Sequence, residues 1–116
     1  MRLVLLLLVV FLAFASPAKA ADGFVDGIDD LPLMAGLAVA GEPTIFDAAQ
    51  GRVVETLAAG APSRAAVLDF YAGTLPQLGW RLDGVGRFVR EGERLVIEFP
   101  PAPSGVTQVR FFLSPE

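Results

Sequence analysis

The chain contains no cysteine and no histidine, and its 116 residues include one tryptophan and one tyrosine. Each absence removes a class of chemistry. Without cysteine there is no disulfide to brace a small fold, no thiolate nucleophile and no zinc-thiolate site. Without histidine the usual general base near neutral pH is gone, and with it the Ser-His-Asp triad and the commonest metal ligand. Lysine occurs once, as Lys19, in a stretch expected to be removed on export, so Schiff-base catalysis goes too. Carboxylates, Ser63, Tyr71 and arginines are what remain. The acids stand singly on predicted strand faces and turns, and so small a domain offers little cleft in which to raise one carboxyl's pKa. A phosphate-binding glycine loop is missing as well, because Gly84 and Gly86 lead into a predicted strand and not into a helix. The expectation is a protein that is not an enzyme and takes no cofactor and no metal.

What is present begins with an address. Met1 and Arg2 give a positive start, Leu3 to Phe14 is an unbroken apolar run of twelve, and Ala18-Lys19-Ala20 has the small-x-small pattern of a cleavage site. Together they predict a secretory signal peptide over residues 1 to 20, cleaved after Ala20. The run is shorter than the roughly 20 apolar residues of a spanning helix, so no stable membrane span is expected after cleavage. The expected location is the periplasm; the alternative is an inner-membrane protein anchored by an uncleaved signal. Cleavage leaves seven arginines against thirteen acids, a net charge of −6. Such a charge repels nucleic acid and anionic surfaces, so no nucleic-acid partner is expected.

Residues 21 to 43 read as an acidic, Gly/Pro-rich leader. Its first dozen residues are expected to be flexible and the rest an ordered extended segment, with Leu31, Leu33, Met34 and Leu37 over the edge of the domain that follows. The spacing of Asp22, Asp26, Asp29 and Asp30 does not fit a calcium loop. Residues 44 to 116 predict a single domain. Thr44 to Asp47 and Arg52 to Leu57 are β-prone runs joined by a four-residue loop ending in Gly51. Ser63 is a helix N-cap, and at 100° per residue Val67, Leu68, Phe70, Tyr71, Leu75 and Leu78 share one apolar stripe. Gly79 predicts a left-handed helix end, with Trp80 folded back and buried. Beyond it, Trp80 to Asp83, Arg87 to Arg90, Glu93 to Phe99 and Val106 to Leu113 are strand-like, with Glu91-Gly92 as a tight turn. The fold class is α+β in the order β-β-α-β-β-β, one amphipathic helix on one face of an antiparallel sheet.

The period of two in the later strands divides their residues between two faces. Trp80, Leu82, Phe88, Leu95, Ile97, Phe99, Val109, Phe111 and Leu113 point at the helix. Arg81, Asp83, Arg87, Val89, Arg94, Val96, Glu98, Arg110 and Phe112 point away from it. On that outer face Arg81, Arg87, Val96, Arg110 and Phe112 form a mixed patch, an apolar centre rimmed by guanidinium groups, suited to a protein or cell-envelope partner. The competing reading is an ordinary solvated face held by cross-strand Arg–Glu pairs. A small-ligand carrier is the alternative function, with a pocket between helix and sheet lined by Phe70, Tyr71, Trp80 and Phe88.

The segments "DLPLMAGL", "FYAGTLPQLGW" and "REGERLVIEF", with a glycine-turned hairpin between the first two, resemble small exported bacterial proteins of uncharacterised function. The resemblance spans most of residues 30 to 113 and implies export and a compact domain. Its motifs are fold-forming ones and imply no catalytic or binding residue.

Overall fold

The computed structural model describes residues 23 to 116. The signal peptide expected over residues 1 to 20 lies outside the described residues. The architecture is α+β: one helix packed against a seven-stranded, wholly antiparallel sheet. Three strands precede the helix, β1 (Leu37–Val39), β2 (Thr44–Ala48) and β3 (Gly51–Gly60). Helix α1 (Arg64–Thr74) runs into a 3-10 turn (Leu75–Leu78), and β4 (Arg81–Leu82), β5 (Arg87–Arg90), β6 (Glu93–Glu98) and β7 (Thr107–Pro115) follow. The expected order β-β-α-β-β-β lacks β1 before the helix; after it the four strand-like runs each become a strand, one more than that order counts. The sheet runs β1-β3-β7-β6-β5-β4, with β2 pairing β3 along the length that β1 leaves open.

Turn chemistry sets the registers. In the β5–β6 hairpin the two-residue loop Glu91-Gly92 has φ of 50° and 81°, both in the left-handed region that matches the twist of a hairpin. The β2–β3 hairpin is tighter than its sequence predicts: Ala48 pairs with Gly51, which leaves Ala49-Gln50 as the loop. The register then carries alternation across the sheet. Val54, Thr56 and Ala58 share one face with Leu113, Phe111 and Val109, and through them with Leu95 and Ile97.

The helix covers that face with Val67, Tyr71 and Leu75, all at 0% exposure. Ser63 caps it, its Oγ accepting from the Ala66 N–H at 3.1 Å. The apolar stripe was expected to continue through Leu78 in one helix, but Pro76 has no N–H for the Ala72 carbonyl and the last turn tightens to 3-10. The changed rotation leaves Leu78 exposed, and the Gln77 side chain donates to the Gly73 carbonyl at 2.9 Å. Gly79 then ends the segment at φ 93°, and the Trp80 N–H returns to the Leu75 carbonyl. Trp80 is buried at 3%, as its place after a left-handed glycine predicts.

The leader differs most from its sequence reading. Where flexibility was expected, Val25 and Ile28 lie in the core, and Leu31, expected over the domain's edge, joins them there, all with 2% exposure or less. Turns position them: Val25 N–H bonds the Leu31 carbonyl and Leu33 N–H the Gly23 carbonyl, so residues 23 to 33 close a loop whose apolar side chains point at the sheet. Leu37–Val39 extends this cover as an edge strand on β3. The helix is short, and this loop supplies the apolar area that finishes the core.

Candidate functional site

The sheet face opposite α1 carries the patch expected from the sequence. Register places Glu55, Phe112, Val96 and Arg87 side by side across β3, β7, β6 and β5. The next row toward the helix-preceding end holds Leu57, Arg110 and Glu98, and the row on the other side holds Arg94, Val89 and Arg81. All five of Arg81, Arg87, Val96, Arg110 and Phe112 thus lie on one face. Phe112 and Val96 are half-buried, while Arg81 and Arg87 are exposed.

Their electrostatics separate them into two groups. The Arg110 guanidinium stacks on the Phe112 ring, 4.5 Å from its centroid, and donates to both Glu55 and Glu98. The bond to Glu55 raises the Arg110 pKa above its ordinary value, burial opposes that rise, and Glu98 adds to it. Arg110 is committed to its own face. Arg94 lies 3.8 Å from Asp83. Arg81 and Arg87 form no ion pair among the described residues, so they are the cations this face offers outward. Val89, between Arg81 and Arg94 in the register, is only 4% exposed although no described helix covers that face. Glu55 and Leu57 belong to the same surface and were missed because the alternation was not extended back into β3.

The four aromatics expected around a ligand pocket are placed differently. Tyr71, Trp80 and Phe88 are core residues, at 0%, 3% and 1% exposure, and Phe70 packs at the core's margin. Tyr71 meets Phe70 and Phe111 edge to face, with centroids 4.8 and 5.4 Å away. Its hydroxyl donates to the Pro32 carbonyl at 2.7 Å and accepts from the Met34 N–H at 3.1 Å, so it ties the helix to the leader. Burial pushes the phenol's pKa up, and the bond from Met34 partly offsets that. Trp80 lies under the Arg90 guanidinium, 4.4 Å from the ring centroid, and Arg90 also bonds both carboxyl oxygens of Asp30 and the Leu78 carbonyl. These contacts are all fold-holding.

An open groove of about 500 Å³ lies elsewhere, between α1 and the β4–β5 loop, walled by Leu68, Ala72, Leu82 and Val85 with Asp69 as its one charged residue. None of the four aromatics lines it. Among the described residues no group of three or more acids could hold a metal ion. Compared with protein-family models, curated proteins and solved structures, the chain matches none.

Proposed function

We propose that this is an exported, non-enzymatic interaction module that docks an acidic protein or cell-envelope component on its outer sheet face. The observation that carries the reading is a pair of exposed arginines without an ion-pair partner among the described residues, Arg87 in one row with the half-buried Val96 and Phe112 and Arg81 next to Val89, on a face that no described helix covers. In an otherwise acidic chain, two free cations next to an apolar strip favour a partner bearing carboxylates or phosphates around an apolar centre. The internal Arg110–Glu55–Glu98 cluster keeps Phe112 oriented and gives the patch a fixed shape. Export to the periplasm by the segment over residues 1 to 20 is part of the same reading.

Capture on immobilised protein from a cell-envelope fraction tests it. Arg81→Glu with Arg87→Glu is expected to remove the captured partner, and Phe112→Ser to weaken capture, whereas Arg64→Glu on the helix side leaves it unchanged. Added salt should lower wild-type capture, as it does for contacts between exposed charges. Equal capture by the wild type and the double variant, with both folded, would sink the proposal.

A further inference from the structure

Strand β2 is an edge that the fold leaves unprotected. All five of its residues are exposed, and among the described residues it pairs only with β3 and its opposite side faces no other strand. Its two large apolar residues, Ile45 and Phe46, are 54% and 56% exposed, one on each face of the sheet. Edge strands usually carry a device against pairing, such as a lysine, an internal proline or a bulge. Thr44-Ile45-Phe46-Asp47-Ala48 has no lysine, proline or bulge, and the single charge it sets against pairing is Asp47.

We infer that β2 pairs antiparallel with β2 of a second copy of this chain, about a two-fold axis at Phe46. The residue pattern makes β2 complementary to a second copy of itself and selects one register. Centred on Asp47, the pairing would set the two aspartates directly opposite, which is unfavourable. Centred on Ile45, it would bring Pro43, which has no N–H, opposite Asp47 of the second copy and leave Ala48 unpaired. Centred on Phe46, all five residues pair: Ile45 lies opposite Asp47, Thr44 opposite Ala48, and the two Phe46 rings opposite each other. An isologous contact of this kind is self-complementary and closes at two copies. Antiparallel pairing keeps each residue on its own face, so the two sheets become one continuous sheet with both helices on one side. Because Phe46 shares its face with Phe112, both arginine-rimmed patches lie together on the other side. The inference stands on β2 alone and does not need the docking function.

Sedimentation velocity on protein purified from cells expressing the full chain tests it. The wild type is expected to sediment as a dimer. Phe46→Lys and Phe46→Glu, each placing like charges opposite across the axis, are expected to sediment as monomers, and an equimolar mixture of the two to regain the dimer. Because Phe46 is half exposed, both variants should keep the wild-type circular dichroism and Trp80 emission. A monomeric wild type, as a strand from a different partner would require, overturns the inference. So does a dimer that survives in both single variants, as contact through the outer face would give. Arg81→Glu with Arg87→Glu should leave the dimer intact.

Discussion

Replacing Tyr71 with phenylalanine deletes one oxygen and two hydrogen bonds while keeping the ring that packs on Phe70 and Phe111. The hydroxyl is the one polar link between the middle of α1 and the leader, and its partners are backbone groups that no other described side chain serves. An intramolecular hydrogen bond contributes about 1 kcal/mol net, and stranding a buried acceptor costs about 1–3 kcal/mol. The Pro32 carbonyl is buried, whereas Met34 is half-buried and water can reach it in part. The loss should therefore be about 2 kcal/mol. That is a large share of the roughly 5–10 kcal/mol expected of a domain this size. Urea unfolding followed by Trp80 emission should show the midpoint fall with little change in slope, and amide exchange over residues 24 to 34 should quicken before the sheet's.

The same residue gives the protein an alkaline limit. The folded-state pKa of Tyr71 is raised by burial, so the native state holds its proton more tightly than the unfolded chain does. Its stabilising contribution is complete below the unfolded value of about 10 and is lost as pH rises above it. With cysteine absent and Lys19 in the expected signal, Tyr71 is the one side chain of residues 21 to 116 whose ordinary pKa, the value it takes in the unfolded chain, lies at about 10. Wild-type stability should drop above about pH 10, and that drop should vanish in Tyr71→Phe. A variant within about 0.5 kcal/mol of wild type, still weakening at high pH, would refute this account of how the leader is held.

Two glycines separate conformational from steric cost. At Gly79 an added Cβ would approach only the Arg90 Cδ, at 3.4 Å, so Gly79→Ala should cost about 1–2 kcal/mol from the left-handed backbone alone. At Gly60 the φ is ordinary but a Cβ would lie 2.0 Å from the Gly36 carbonyl oxygen, so Gly60→Ala should separate β1 from β3 and cost more than Gly79→Ala. Denaturant midpoints rank the two, and a milder effect at Gly60 would contradict the close approach. The outer-face double variant, Arg81→Glu with Arg87→Glu, should leave the stability within about 0.5 kcal/mol of wild type, since neither arginine has an ion-pair partner among the described residues to lose.

The helix cap at Ser63, the left-handed Gly79 and the Glu91-Gly92 turn were legible because each is local: a few adjacent residues carry the whole signal. The division of β5, β6 and β7 into two faces was legible for the same reason, through the period of two. Long-range features were not. Val25 and Ile28 enter the core on turns, without helical or strand periodicity, and Asp30 at φ 55° is a backbone state that its sequence context does not announce. Strand β1 is only the three residues Leu37-Ala38-Val39, and its pairing depends on Gly60 far along the chain. The partners of the Tyr71 hydroxyl are 37 and 39 residues away and are backbone groups, which no side-chain pattern encodes. On the outer face, spacing located Arg110 and Phe112, but only the structure distinguishes the committed Arg110 from the free Arg81 and Arg87.

The proposed docking face can be tested in living cells with a photo-crosslinking amino acid placed at one position at a time. At Val96, in the centre of the outer face, irradiation is expected to give a discrete adduct of higher mass that disappears when Arg81 and Arg87 are both glutamate. At Leu68, on the wall of the groove beside the helix, no adduct is expected. Adducts from Leu68 and none from Val96 would contradict the outer-face account and move the partner to the other side of the molecule.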